Sequence, residues 1–213
     1  MEKTLVINAH PKVDSVTSLS LQVYSHFIEN YKKYNPLVNI EQINLYQDYV
    51  PAVDNMFMNA WDKMEKGCEI TEDEQKIVNR MSEILEQFKS ASRYVIVMPM
   101  HNWNIPSKLK DYMDNIIIPR ETFKYTKSGY VTGLLTDNRS VLVIQASDGV
   151  YTNNDWYTEA EYSHKYLKSM FNILGIDSYE IIRAQGNAFL KQNDILSKAY
   201  REVEKVAESW IVC

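Results

Sequence analysis

The chain has 213 residues, of which 45% are hydrophobic and 24% are charged, a balance that predicts a folded protein with a sizeable core and no need of disulfide bonds. No stretch approaches the roughly 18 consecutive apolar residues of a membrane-spanning helix, and no signal-peptide pattern precedes the first apolar run. The net charge of −5 disfavours a nucleic-acid-binding protein, which needs a basic surface.

Short apolar runs alternate with segments of helical periodicity along the whole chain. In chain order, the pattern predicts a strand at 4–9, a helix from 18 to about 34, a strand at 38–43, a helix that begins at a capping box (71–74) and reaches 88, a strand at 94–98, a helix from 106 to about 118, a strand at 140–146, a helix that ends before Gly175, a strand at 179–184 and a helix with an apolar face from 195 to 210. This alternation predicts an α/β fold, a doubly wound five-stranded parallel sheet with helices on both faces.

Two segments interrupt the alternation. Residues 45–67 are irregular, with acidic and aromatic side chains and a short helical piece at 56–64. Residues 122–130 predict a small hairpin with its turn at Ser128 and Gly129. We expect residues 45–67 to be an insertion packed across the end of the sheet, and neither segment to form a separate domain.

The chain shows no internal repeat and no low-complexity linker, so we expect a single domain over residues 1–213. The two cysteines, Cys68 and Cys213, have no partner pattern for zinc or for a disulfide framework. A reducing, cytoplasmic location is therefore expected.

Three loops follow buried strands, at residues 10–20, 99–106 and 146–151. Parallel strands end at a common edge, and ligands bind in the crevice outside these carboxyl ends. The first loop places hydroxyl groups at the start of a helix, where they and the helix dipole suit a phosphate, although ordinary N-capping by serine is the simpler explanation. The hydroxyl residues are Ser15, Thr17, Ser18 and Ser20.

The sequence lacks the motifs of several common ligand sites and reaction types. The first loop contains no glycine, so neither the dinucleotide-binding GxGxxG nor the P-loop is present. The chain has no G-x-S-x-G nucleophile elbow, and its four histidines show no metal-ligand spacing. No metal is therefore expected.

The second loop turns abruptly from apolar to polar and aromatic. An asparagine stands on each side of Trp103, and Pro106 follows at the predicted first turn of a helix, where proline is tolerated. These side chains could simply cap the core and satisfy turn backbone. Next to a phosphate site, however, they favour an aromatic, amide-lined slot for a mononucleotide with a planar ring.

Three stretches carry a family resemblance: residues 8–11 (NAHP), residues 100–114 (MHNWNIPSKLKDYMD) and the TFKYT segment at 122–126 with Gly129 and Gly133 beyond it. In this order and spacing they resemble the FMN-dependent NADH-azoreductases of the NAD(P)H:quinone oxidoreductase family. The resemblance spans essentially the whole chain and implies a flavodoxin-like fold.

The resemblance also implies a role for individual residues. Phe123 and Tyr125 correspond to aromatics that contact the substrate. No side chain is expected to act as a catalyst, because the flavin carries the chemistry; His101 is read as a ring packed against it. Asp148, which replaces a glycine of the family, is expected to point away from the ring. The implied cofactor-binding residues are His10, Ser18, Leu19, Ser20, Met100, His101, Asn102, Trp103, Ala146, Ser147, Asp148 and Gly149.

The implied activity is the reduction of quinones and azo compounds with NADH or NADPH, by two-electron ping-pong hydride transfer through bound FMN. A homodimer is implied, with both subunits contributing to each site, and no nucleic-acid or membrane partner. The alternative is a flavodoxin-like electron carrier without its own NAD(P)H turnover, although the T/S-x-T-G-x-T loop of such carriers is absent. A non-flavin protein that binds another phosphorylated ligand is a further alternative.

Overall fold

The computed structural model describes residues 3–210. One helix, of four residues, was not predicted; it is too short to show periodicity, and the Asp155 carboxylate caps it by accepting the N–H of Tyr157. The elements in chain order are β1 (Lys3–Asn8), α1 (Leu19–Tyr34), β2 (Asn39–Asn44), α2 (Asn55–Glu65), α3 (Glu72–Lys89), β3 (Arg93–Pro99), α4 (Ser107–Ile116), β4 (Phe123–Tyr125), β5 (Val131–Gly133), β6 (Ser140–Ser147), α5 (Trp156–Glu159), α6 (Tyr162–Leu174), β7 (Ser178–Gln185) and α7 (Gln192–Ser209).

Five strands form one parallel sheet in the order β2-β1-β3-β6-β7. The predicted doubly wound sheet is therefore confirmed. Strand order reverses between β1 and β3, because β2 lies on one side of β1 and the strands β3, β6 and β7 lie on the other. In open α/β sheets such a switch point is where a ligand crevice forms.

The central strands are apolar on both faces because each face is covered by helices. Along β3, Tyr94, Ile96 and Met98 pack into the core under α3, α4 and α6, whereas Val95 and Val97 pack under α1 and α7. All of these side chains are buried. This two-sided burial explains the uninterrupted apolar run in the sequence.

Helix boundaries follow local capping chemistry. The predicted capping box is present, with Thr71 Oγ1 accepting the Glu74 N–H and the Glu74 carboxylate accepting the Thr71 N–H. Pro106 was expected inside the first turn of α4, but the helix begins one residue later, at Ser107, and Pro106 occupies the N-cap. The predicted end near residue 118 is also too late, because α4 ends at Ile116.

The predicted hairpin is present as β4 and β5, paired antiparallel. It packs against the C-terminus of α6, where the Leu135 N–H donates to the Leu174 carbonyl over 3.0 Å. A Cβ atom on Gly133 would lie 2.2 Å from the backbone nitrogen of Gly175. Only glycine therefore allows the hairpin to lie this close to α6.

Among residues 3–210, no helix combines the length and the apolar character needed to cross a bilayer. The same residues contain no group of three or more His, Cys, Asp or Glu side chains placed to hold a metal ion. Cys68 is exposed and unpaired, and Cys213 lies outside the described residues.

Candidate functional site

The loops after β1, β3 and β6 line one cleft of about 430 Å³ at the carboxyl edge of the sheet. The loop between β7 and α7 completes it. Ser20 lies buried beneath this surface, whereas Asn102, Trp103 and Gly149 belong to the same loops but do not line the cleft. The predicted cofactor residues that do line it are His10, Ser18, Leu19, Met100, His101, Ala146, Ser147 and Asp148.

The N-terminus of α1 forms one wall of the cleft. Ser18 is the N-cap, and its Oγ accepts the Leu21 N–H at 3.4 Å and lies 3.1 Å from the Ser20 Oγ. Serine capping, the simpler of the two explanations, is therefore present. Capping by Ser18 does not exclude a phosphate site, since the first N–H groups of a helix lack partners within the helix. The first turn of α1 also contains no acidic residue that would repel a phosphate. This end of the helix attracts an anion.

His10 is held against the backbone of Lys12, which also lines the cleft. Its Nδ1 lies 3.0 Å from the Lys12 nitrogen and 2.9 Å from the Lys12 carbonyl oxygen. With its proton on Nε2 the neutral ring accepts the Lys12 N–H, whereas a ring with a proton on Nδ1 donates to the Lys12 carbonyl. Burial lowers the pKa of His10 below its usual 6.5, against the raising effect of the carbonyl hydrogen bond. In both cases Nδ1 faces the Lys12 backbone, and the ring lies on the wall of the cleft.

The second loop contains a tight turn at residues 101–104. His101 and Asn104 exchange two backbone hydrogen bonds of 2.9 Å, and both central residues have positive φ, 48° at Asn102 and 63° at Trp103. Asparagine tolerates this conformation, whereas a bulky residue such as tryptophan is strained by about 1–3 kcal/mol. The Met100 N–H donates to the Ala146 carbonyl over 2.8 Å and ties this loop to the third.

The loop between β7 and α7 was not predicted to belong to the site. Asn187 in this loop and Gln192 at the start of α7 line the cleft, and the Asn187 side-chain amide donates to the Asp148 carboxylate over 3.2 Å. The Gly186 N–H donates to the carbonyl of Ser147. A Gly-Asn pair directly after the last strand is a turn signal, and it would have indicated this loop as a fourth contributor. Asp148, expected to point away from a bound ring, lies on the cleft with its charge hydrogen-bonded.

An aromatic cluster adjoins the second and third loops, and the sequence did not indicate it. The Tyr151 and Tyr157 rings stack with centroids 4.8 Å apart, and the Trp103 Nε1–H donates to the Tyr157 hydroxyl over 3.3 Å. Hydrogen bonds from Tyr151 and then from Trp103 lower the pKa of Tyr157. A Cβ on Gly149 would lie 2.8 Å from the Tyr157 ring, so a larger residue where the cluster meets the third loop would displace that ring.

The two residues predicted to contact substrate lie elsewhere. Phe123 and Tyr125 are on β4, with ring centroids 5.5 Å apart in an edge-to-face arrangement. Phe123 is buried and Tyr125 is exposed. Neither lines the cleft of its own chain.

Comparison with known proteins identifies the family. A family model described as the flavodoxin-like fold matches residues 2–207. A Bacillus cereus protein named FMN-dependent NADH:quinone oxidoreductase 1 is 63% identical over 208 residues, which cover 97% of this chain and 97% of the relative. The chain belongs to the flavodoxin-like family of FMN-dependent NADH:quinone oxidoreductases. The family predicted from the sequence is thus confirmed.

Further members of the family cover the chain from end to end. A Staphylococcus haemolyticus FMN-dependent NADH:quinone oxidoreductase is 38% identical over 212 residues, which cover 99% of this chain and 100% of the relative. The crystal structure of a Bacillus anthracis FMN-dependent NADH-azoreductase in complex with FMN is 60% identical and matches with a TM-score of 0.97, covering 100% of both chains. A second Bacillus anthracis azoreductase, 29% identical, matches with a TM-score of 0.89 over 99% of this chain and 100% of its own.

The lowered pKa of His10 predicts a pH dependence of stability. The unfolded chain binds a proton at His10 near pH 6.5, whereas the folded chain binds it only at lower pH. The contribution of His10 to the free energy of unfolding is thus fully present above pH 6.5 and is lost as the pH falls through the folded-state pKa.

The measurement is an NMR titration of His10 in the cofactor-free protein, with urea unfolding of the wild type and of His10→Asn at pH 5 and 7.5. We expect a pKa below 6.5 and a smaller pH dependence in the variant. His164, whose pKa burial also lowers, is retained in both proteins and cancels in the comparison. A His10 pKa at or above 6.5 would contradict the prediction.

Proposed function

We propose that this chain is an FMN-dependent oxidoreductase that uses NADH to reduce quinones and azo compounds. The observation that carries the proposal is the match, over the whole chain, to an FMN-bound NADH-azoreductase at 60% identity. The three loops predicted to hold the cofactor also share one cleft. We further propose that residues 1–213 act as a single domain and that the enzyme works in the cytoplasm.

The cleft fits FMN in size and in chemistry. Its volume of about 430 Å³ lies in the range of ligand pockets. We assign the phosphate to the N-terminus of α1, where Ser18, Leu19 and Ser20 offer backbone N–H and hydroxyl donors. His10 and Lys12 line the same cleft, and they add an imidazole ring and a positive charge.

We assign the flavin ring to the second and third loops, with Met100, His101, Asn102 and Trp103 on one side and residues 146–149 on the other. Bound FMN supplies the two-electron redox chemistry. The chain's own residues orient the ring and keep it at the sheet edge, where a nicotinamide or an acceptor can stack on it. The Asp148 charge is held by the Asn187 amide, and no side chain is assigned as an acid or a base.

Acceptor-dependent turnover tests the proposed activity. The purified protein should be yellow and should oxidise NADH at an enzymatic rate, about 1 s⁻¹ or faster, when menadione or methyl red is present. NADPH assayed in parallel gives the donor preference. Bound flavin without turnover on either acceptor would favour the electron carrier instead, and absence of flavin binding would overturn the FMN proposal.

The proposed phosphate site predicts the effect of Ser18→Ala. A hydrogen bond to a charged group contributes about 1.5–3 kcal/mol, so we expect the dissociation constant for FMN to rise by about tenfold or more. Asp54→Ala is the matched control, because Asp54 also caps a helix, through the Phe57 N–H, but lies outside the cleft. Equal FMN affinity in the two variants would remove Ser18 from the site.

We also propose that the enzyme is a homodimer. An apolar groove of about 640 Å³ lies between α2, α4 and α6, and Met58 and Trp61 stand exposed along it. Exposed apolar patches of this kind mark interaction surfaces. We propose that Tyr125, which is exposed and does not line the cleft of its own chain, contacts the partner's cleft in such an assembly.

Sedimentation equilibrium tests the dimer and its face. The wild type should sediment at twice the chain mass of 24.9 kDa, and Trp61→Glu should shift it toward the monomer because a charge then enters the apolar groove. Leu37→Glu is the control, since Leu37 is exposed but lies before β2, away from the groove. A dimer unaffected by Trp61→Glu would place the interface elsewhere.

A further inference from the structure

A buried polar cluster lies in the core between the sheet and α6. It consists of Gln145 on β6, Arg183 on β7, and Glu161 and Ser163 at the start of α6, and only the Arg183 side chain retains appreciable exposure. A buried ion pair is often no more stabilising than apolar side chains of the same volume. Stability alone therefore does not explain why these residues replace a hydrophobic core here.

The cluster is continuous and fully connected. Gln145 and Arg183 are register partners on adjacent strands. The Glu161 carboxylate accepts two hydrogen bonds from Arg183, of 2.7 and 2.8 Å, and one of 2.9 Å from the Gln145 amide. The side-chain carbonyl of Gln145 in turn accepts a hydrogen bond of 2.6 Å from the Ser163 hydroxyl. The start of α6 is thus bonded to two strands of the sheet.

The N-terminus of α6 is also hydrogen-bonded to the strained turn of the second loop. The backbone N–H of Ser163, in the first turn of α6, donates to the carbonyl of Trp103 over 3.1 Å. Trp103 is the bulky residue with φ at 63°, a conformation that persists only where surrounding contacts impose it. A displacement of α6 by a fraction of an ångström would weaken this bond.

We propose that Glu161 is a positioning residue for the cofactor cleft. By binding Arg183 and Gln145, it fixes the N-terminus of α6, and the Ser163 N–H then holds Trp103 and Asn102 in the turn that forms the proposed flavin wall. The link to flavin binding rests on the proposed function, but the link from Glu161 to the turn does not.

The first test needs no cofactor. Hydrogen exchange of the Ser163 amide and of the amides in the 101–104 turn is measured in cofactor-free wild type and in Glu161→Gln. We expect exchange at these amides to accelerate about tenfold or more in the variant, the change that a loss of 1.4 kcal/mol in local opening energy produces. Unchanged exchange at the turn would overturn the proposal whether or not the protein binds FMN.

The second test separates positioning from plain stability. Glu74→Gln is the matched control, because Glu74 is a buried carboxylate paired with Lys63 at the start of α3, away from the cleft. We expect both variants to lose thermal stability, but only Glu161→Gln to raise the dissociation constant for FMN and to alter the visible circular dichroism of the bound flavin. Equal FMN affinity and equal spectra in the two variants would overturn the proposal.

Ser163→Ala keeps the test decisive if Glu161→Gln fails to fold. This variant retains the Glu161–Arg183 pair but removes the hydroxyl bond that ties the first turn of α6 to Gln145 on β6, so the Ser163 N–H is held less firmly against the Trp103 carbonyl. We expect faster exchange at the turn and weaker FMN binding than in the wild type. Exchange and affinity within twofold of the wild type would count against positioning. A wild type that binds no FMN while its variants show faster exchange would reject the proposed function and leave the positioning role standing.

Discussion

Parallel pairing of β1, β3 and β6 is the constraint on which the cleft depends. All strands of a parallel sheet end at one edge, and the register that aligns Asn8 with Val97 and Pro99 with Ala146 brings the three following loops side by side. The reversal of strand order between β1 and β3 then leaves a crevice at that edge. Two-sided apolar burial of these strands keeps the register in place.

The N-termini of two helices, α1 and α6, contribute to this edge, but they serve different purposes. The first turn of α1 contains no acidic residue and lies beside hydroxyl groups in the cleft, so its dipole is available to an anionic ligand. In the first turn of α6, the Ser163 N–H already has a hydrogen-bond partner, the Trp103 carbonyl. The N-terminus of α1 is thus suited to binding an anion, and the N-terminus of α6 is hydrogen-bonded to the turn of the second loop.

Prediction succeeded where the signal is local. The capping box that begins at residue 71 and the apolar periodicity of the main helices predicted the fold. The position of the loops after buried strands predicted eight cofactor-binding residues that line the cleft, Ser18 and Met100 among them. It failed where contacts join distant parts of the chain. The hydrogen bond between Asn187 and Asp148 joins residues that are 39 positions apart, and the one between Trp103 and Tyr157 joins residues that are 54 positions apart. A single sequence carries no periodicity or spacing that reports such pairs.

The sequence by itself determined the α/β class, the order of the elements, the loops that carry ligand chemistry and the family, because each of these depends on local patterning or on motifs in fixed order. Only the tertiary structure decided which residues meet. Gly133 is required by the backbone of Leu174 and Gly175, which lies far away in the chain. Glu161 reads as an ordinary acidic surface residue until the fold buries it against Arg183. Burial and partners arise from packing, and packing is a property of the folded chain as a whole.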